Sequence, residues 1–170
     1  MNSRDIKIVE LRANKILLES NIHEVPVDIE SIADKLGIKI SYAPSEEYSG
    51  MLIRREDGQA LMGINSSEPK TRMRFTVAHE IAHFLFDKKN KVSIDYRTST
   101  RLLDKPKEEK RADFFAANIL MPKKLLTLDF EKISKESFSQ DHLIDLAKKY
   151  QVSQDAMKYR LSNLRLIELI

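Results

Sequence analysis

The stretch of sequence that decides the fold is Arg74-Phe75-Thr76-Val77-Ala78-His79-Glu80-Ile81-Ala82-His83. Its H-E-x-x-H pattern stands among apolar residues, which predicts a largely buried helix. On a helix, the spacing of His79 and His83 puts both imidazoles on one face, where they can bind one Zn²⁺ ion. Glu80 would act as a general base on water and not as a ligand. The alternative is a core helix with two ordinary histidines, which requires a buried partner for every polar group.

Composition restricts the classes of protein and of metal site. The chain has 170 residues, of which 42% are hydrophobic and 32% charged, with a net charge of +3. Direct nucleic-acid binding is not expected, because it calls for basic residues clustered on one face. The absence of cysteine excludes disulfides and thiolate ligands, so a metal must be held by His, Asp or Glu. No secretory signal or membrane-spanning run is recognisable, and a cytoplasmic location is expected.

Apolar periodicity and turn signals predict an α+β fold, with a small antiparallel sheet packed on the metal-bearing helices and a C-terminal helical hairpin. Asp28 and Ser67 are the expected N-caps of the second and third helices. The first helix is expected to present Ile8, Leu11, Ile16 and Leu18 on its apolar face. Helices are predicted at 4–20, 28–36, 67–86, 107–120, 139–150 and 153–164, and strands at 38–42, 50–54, 59–64 and 92–96. We expect a core over 1–130 and an added helical segment over 131–170.

A pair of carboxylates downstream of the motif offers the missing ligand. Glu109 and Asp113 are four residues apart in a predicted helix, and they share a face near its apolar stripe. We expect Glu109 to be the third ligand and Asp113 to accept a hydrogen bond from a ligand imidazole. Glu108 replaces Glu109 if the helix register differs by one, and a solvated face is the alternative for both carboxylates. The E-x-x-x-D pairing is similar to that of thermolysin-like zinc peptidases, which implies a zincin-like pair of helices.

Four blocks of sequence carry a wider resemblance. They are V-D-I-E…A-D-K-L-G-I over 27–38, Y-S-G-M-L over 48–52, R-F-T-V-A-H-E-I-A-H over 74–83, and E…A-D-F-F-A-A-N-I-L-M-P over 109–122. In combination they resemble the ImmA/IrrE family of metallopeptidases over nearly the whole chain. The resemblance implies a zinc-dependent endopeptidase that cleaves a cytoplasmic helix-turn-helix repressor, in a mobile element or stress response. Ala82 stands where many members have glycine; alanine favours the helix, so the site should survive.

Other segments have predicted roles in substrate binding and hydrolysis. Tyr96 and His142 are candidates for donating a hydrogen bond to the oxyanion, although an ordinary surface or packing role is favoured for each. Segment 87–106 is long and polar and joins the two metal-bearing helices, so it is a candidate gate. Strand 50–54 is expected to pair with an extended substrate by strand addition.

A second class of function remains open from the sequence. Segment 143–161 resembles a helix-turn-helix, and Lys158, Arg160 and Arg165 are its candidate phosphate contacts. The chain would then be a non-catalytic regulator with a structural metal. An antitoxin-like protein that acts by binding alone is a further alternative. We favour a helical hairpin that completes the core or docks a partner, because the basic residues are few and interspersed with acids. The sequence does not predict the oligomeric state.

Overall fold

The computed structural model describes residues 1–96, 105–133 and 138–168. Within these ranges the fold is α+β, as predicted, with seven helices and a four-stranded sheet. The helices are α1 (Ser3–Glu19), α2 (Ile29–Lys35), α3 (Lys70–Phe86), α4 (Lys107–Leu120), α5 (Lys123–Ile133), α6 (Gln140–Tyr150) and α7 (Gln154–Asn163). The strands are β1 (Ile38–Ala43), β2 (Tyr48–Arg54), β3 (Ala60–Asn65) and β4 (Val92–Tyr96). Each helix in these ranges is too short or too polar to span a bilayer.

The sheet is mixed, so the prediction of an antiparallel sheet is wrong. Its strand order is β1-β3-β2-β4, with β1 and β3 parallel and the other two pairs antiparallel. Residues 44–47 reverse the chain between β1 and β2, and β3 then returns from β2 by a hairpin and inserts between them. A strand in that position must run parallel to β1. Because β2 is paired on both sides, the prediction that segment 50–54 is free to receive a substrate strand is also wrong.

Helix α3 lies against the sheet and begins two residues later than expected. Its N-cap is Pro69, and the prediction of Ser67 in that role is wrong, whereas Asp28 caps α2 as predicted. At the other end, the Arg54 guanidinium of β2 donates hydrogen bonds to the carbonyl oxygens of His83 and Phe84, at 2.8 and 2.7 Å. This satisfies carbonyls that the last turn of a helix leaves without a partner. The end of α3 that carries His83 is thereby tied to the sheet.

The first helix buries a different stripe from the one predicted. Its buried residues are Val9, Ala13, Ile16 and Leu17. Of the four predicted apolar positions only Ile16 is buried, and Ile8, Leu11 and Leu18 are exposed. The buried residues are separated by steps of four, three and one and lie on one face of the helix, whereas steps of three, five and two spread the predicted residues over a wider arc. Helix α1 packs against α4.

The C-terminal segment packs on the core by its α6–α7 hairpin, whose two helices lie where they were predicted. The buried side chain of Arg160 donates hydrogen bonds to the Met121 carbonyl (3.2 Å) and to Asn118 Oδ1 (2.9 Å) at the end of α4. Helix α5, in which only Leu126 is buried, was not predicted. One cluster of buried apolar side chains includes residues from both 1–130 and 131–170, and their division into two units stays a prediction.

Part of segment 87–106, the predicted gate, forms strand β4. Residues 97–104 lie outside the described residues, so the structure does not test the role as a gate.

Candidate metal centre

The two long helices α3 and α4 bring His79, His83 and Glu109 to one point. The Nε2 atoms of the two histidines are 3.0 Å apart. Glu109 Oε2 lies 3.2 Å from His79 Nε2, and Glu109 Oε1 lies 3.3 Å from His83 Nε2. Two imidazole nitrogens and a carboxylate oxygen are a donor set that suits Zn²⁺ and leaves further positions open. Among the described residues, no other group of His, Asp and Glu converges in this way.

Each histidine is oriented by a carboxylate on its other ring nitrogen. Asp113 Oδ1 accepts from His79 Nδ1 at 3.0 Å, the contact expected from the sequence. Asp87 Oδ2 accepts from His83 Nδ1 at 2.8 Å. Such contacts fix the tautomer, so that Nε2 presents its lone pair to the metal. Asp87 was not identified from the sequence, although its position four residues after His83, at the C-cap of α3, was a usable signal.

Two basic side chains hold these carboxylates from outside. Lys105 Nζ lies 2.8 Å from Asp113 Oδ2. The Arg111 guanidinium contacts Asp87 Oδ1 and stacks over the ring of Phe86. The centre thus has two parallel chains of contacts, each from histidine to carboxylate to cation. The contact of Arg111 with Asp87 depends on how α3 and α4 are packed, whereas Lys105 reaches Asp113 from the residues just before α4.

The charges of the centre are strongly coupled. Burial opposes protonation of His79, but hydrogen bonds to Asp113 and Glu109 outweigh it and raise the pKa of His79 to about 10. The same contact with Glu109 raises the pKa of His83 against the effect of burial. Hydrogen bonds from both histidines hold the pKa of Glu109 well below its usual range. Without a metal, hydrogen bonds among His79, His83 and Glu109 therefore occupy the position where a cation would bind.

Glu80 has the environment of a proton carrier. It is fully buried, and neither carboxylate oxygen has a hydrogen-bond partner within the described part of the chain. Burial raises the pKa of this carboxyl to about 7, partly offset by the neighbouring histidines. A buried carboxylate without a partner is costly, and a nearby metal with its water would relieve that cost. The residues present therefore fit a metal site, and not two ordinary core histidines.

The room beside Glu80 depends on a glycine in β2. A Cβ atom at Gly50 would lie 2.4 Å from Thr76 Cγ2 and 3.2 Å from Glu80 Oε1. Only glycine lets the strand approach α3 so closely. Asp95 of β4 pairs with Gly50 in the sheet and lies 3.7 Å from an Arg72 nitrogen. Burial raises the pKa of Asp95, a second carboxyl near the centre that the sequence did not single out.

Glu108, His142 and Tyr96 make none of the contacts of the three-residue metal group. Glu108 is exposed, and Glu109 occupies the centre, so the alternative register is not used. His142 completes the capping box of α6 with Ser139. Tyr96 lies at the end of β4 and is more than half exposed.

Comparisons with known proteins agree with this arrangement. The family model described as Peptidase_M78, IrrE N-terminal-like domain, matches residues 33–162. A solved structure described as a Mycobacterium tuberculosis transcriptional regulator superposes with a TM-score of 0.61 at 16% sequence identity. That match covers 92% of this chain and 46% of the regulator, so the chain spans about half the length of its neighbour. The likeness shows a shared fold. No curated protein matches the sequence.

Proposed function

Since the chain belongs to the IrrE N-terminal-like family of M78 peptidases, as its sequence blocks predict, we propose that it is a zinc-dependent endopeptidase. His79, His83 and Glu109 hold the metal, and Glu80 is the general base. The observation that carries the proposal is the convergence of two Nε2 atoms and one carboxylate beside a buried, unpartnered glutamate. We also propose that α3 and α4 form the zincin-like pair of metal-bearing helices that the sequence predicts.

Each residue of the site has a separate role in the proposed hydrolysis. A bound zinc ion would supply Lewis-acid chemistry to the attacking water and to the scissile carbonyl. Glu80 takes a proton from the water and later delivers it to the leaving amine. Asp113 and Asp87 keep the two imidazoles in the tautomer that ligation requires. The donor that stabilises the oxyanion is not identified by any contact among the described residues.

The edge of the sheet offers a place for the substrate backbone. In the described part of the chain, β4 pairs only with β2, and Val92, Ile94 and Tyr96 are exposed along it. A polypeptide in extended conformation can add to such an edge by main-chain hydrogen bonds. Asp95 and Gly50 link this strand to the position of Glu80. We therefore propose that the extended substrate pairs with β4, and not with β2.

The substrate we propose is a cytoplasmic helix-turn-helix repressor, and its support is the family resemblance. Co-expression with a helix-turn-helix repressor, chosen first from any encoded in neighbouring genes, followed by mass spectrometry, tests the proposal. Wild type should yield defined fragments, whereas Glu80→Gln should leave the repressor intact and functional. Casein should be cut weakly or not at all, because a peptidase inside the cell must spare other proteins. Loss of repressor function without cleavage, equal in wild type and Glu80→Gln, would instead support a binding protein with a structural metal.

A further inference from the structure

A cavity of about 610 Å³ lies beside the candidate metal centre, between α3, α4 and α7. Its lining on α3 includes Phe75 and Arg72. These lie four and seven residues before His79, so they share its face of the helix. The face that carries the metal group therefore continues into the cavity towards the N-terminus of α3.

The second wall of the cavity belongs to α4, the other metal-bearing helix, and continues the face that carries Glu109. Asp113 and Ala117 line the cavity from α4, and they follow Glu109 at successive steps of four residues. Contacts of Glu109 with His83 and of Asp113 with His79 show that α4 runs antiparallel to α3. The cavity is thus a direct extension of the groove between the two helices.

The third wall comes from the C-terminal hairpin. Val152, Ala156 and Tyr159 line the cavity from the start of α7 and the turn before it. In a helix-turn-helix bound to DNA, the start of the second helix would contact base edges. Here those positions face the cavity, and the buried Arg160 ties α7 to the end of α4.

We propose that this cavity binds a bulky apolar side chain of the polypeptide substrate next to the scissile bond, so that the C-terminal hairpin selects the cleavage site. This inference rests on the proposed function. The lining includes Phe75, Ala117, Val152, Ala156 and Tyr159, which favour an aromatic or large aliphatic occupant. The volume lies within the range of small-ligand pockets, so it accepts a side chain with the adjoining backbone.

Charge on the lining supports an uncharged occupant. Lys105 is engaged by Asp113 at 2.8 Å. Arg72 lies 3.7 Å from both Glu68 and Asp95. Lys158 and Asp155 lie three residues apart on α7 and have opposite charges. Because these charges are balanced, the lining favours neither an acidic nor a basic side chain. The occupant is therefore selected by its apolar contacts with the lining.

The first test measures binding without requiring hydrolysis. The full chain with one equivalent of zinc is titrated with N-acetyl-phenylalaninamide, and the methyl signals of Ala117, Val152 and Ala156 are followed by NMR. Saturable shifts at these methyls are expected, with much weaker shifts from N-acetyl-glycinamide. Equal shifts from both amides, or no shifts at these methyls, would overturn the proposal whether or not the protein is a peptidase.

Variants locate the binding in the cavity. Ala156→Leu fills the cavity and should abolish the shifts, and Asn163→Leu, which also introduces a leucine into α7 but at an exposed position outside the cavity lining, should retain them. Tyr159→Ala tests the same wall at an exposed residue if Ala156→Leu fails to fold. It should weaken binding roughly two- to tenfold through the lost aromatic contact. Undiminished binding by a folded Ala156→Leu or Tyr159→Ala protein would contradict the assignment.

Cleavage of the co-expressed repressor separates this inference from the proposed function. Ala156→Leu should slow cleavage or move the cleavage site, with zinc affinity unchanged and Asn163→Leu like wild type. Cleavage by Ala156→Leu at the wild-type site and rate would overturn the role of the cavity in specificity while leaving the peptidase intact. Amide binding that depends on Ala156, with no hydrolysis by wild type, would reject the peptidase and preserve the apolar cavity.

Discussion

At the scale of single residues, each metal-binding histidine donates a hydrogen bond to one orienting aspartate, and each of these two aspartates contacts one cation. His79, Asp113 and Lys105 form one chain of contacts, and His83, Asp87 and Arg111 form the other. The carboxylates hold the imidazoles in position for ligation, and the cations hold the carboxylates. Glu80 stands outside both chains, which is why its role can be separated experimentally from metal binding.

Substitutions at the two glutamates should separate base from ligand. Glu80→Gln should bind zinc like wild type and lose hydrolysis, because an amide cannot accept the proton of water. Glu109→Ala should lose zinc, as should His79→Ala. Elemental analysis after dialysis, together with repressor cleavage, measures both properties. If Glu80→Gln released the metal and Glu109→Ala kept it, the two roles would have been assigned the wrong way round.

The two orienting carboxylates should contribute comparably to metal affinity. Asp113→Asn and Asp87→Asn should each weaken zinc binding by roughly tenfold to a hundredfold, the usual effect of losing a partner that orients a ligand. Competition with a chelating dye gives the affinity, and circular dichroism controls for folding. The neighbouring Lys88→Gln is a suitable control, since it changes charge beside Asp87 without touching the histidines. A full-affinity Asp87→Asn protein would exclude Asp87 from the centre.

Zinc binding should release protons near neutral pH. In the metal-free chain the pKa of His79 is raised to about 10, so this ring carries a proton at pH 7.5 that must leave on ligation. Below the pKa of His79, the affinity for zinc should therefore rise with pH, by about tenfold per pH unit for each proton released. Calorimetry in buffers of different ionisation enthalpy measures the release. A binding enthalpy that is independent of the buffer would contradict the assignment of a protonated imidazole.

At the scale of elements, the close approach of β2 to α3 sets the position of the general base. Gly50 allows the strand to pass beside Thr76 and Glu80, and Arg54 of the same strand binds the C-terminal carbonyls of α3. Two contacts of one strand thus hold the metal-bearing helix on either side of its motif. The helix cannot move away from the sheet without losing both.

Gly50→Ala should disturb this contact. The new methyl would overlap Thr76 Cγ2, so we expect a loss of about 1–3 kcal/mol in the free energy of unfolding and a lower kcat, with zinc retained. Gly63→Ala is the matched control, because its nearest atom would be Met51 Cε at 4.0 Å. Denaturant unfolding gives the stabilities. Adding Thr76→Ser, which removes Cγ2, should recover part of the loss; a Gly50→Ala protein as stable as wild type would refute the close approach.

At the scale of the whole molecule, the C-terminal hairpin is fixed to the core by a buried cation. The side chain of Arg160 is 1% exposed and binds Met121 and Asn118 through neutral oxygen atoms. Burial lowers its pKa to about 10, which still leaves it charged at neutral pH. Of the three candidate phosphate contacts of the helix-turn-helix hypothesis, Arg160 is therefore unavailable to DNA, whereas Lys158 and Arg165 are exposed.

Arg160→Met should weaken the attachment of the hairpin. Loss of both hydrogen bonds leaves two buried acceptors without a donor, which costs about 1–3 kcal/mol each when no water replaces it. Lys158→Met, the same change at an exposed position of α7, should have little effect on stability. Thermal unfolding and protection of α7 amides from hydrogen exchange measure the difference. Equal stability of the two variants would show that Arg160 does not hold the hairpin.

The sequence alone determined the elements whose signal is local. The H-E-x-x-H motif, the E-x-x-x-D pair and the ends of α4 follow from spacing along one helix, where neighbours three and four residues apart must share a face. The structure places His79, His83, Glu109 and Asp113 together. The family resemblance, confirmed by the match over residues 33–162, rests on the same local blocks.

Only the tertiary structure decided features that join segments distant in sequence. The parallel pairing of β1 and β3 and the contact of Arg111 with Asp87 depend on which surfaces pack together. Periodicity shows which side chains of one helix share a face, and on α1 it favours the buried stripe, but it does not show that α1 packs on α4. The cavity beside the metal centre likewise requires α3, α4 and α7 to be packed together, a relation between elements that no single stretch of sequence contains.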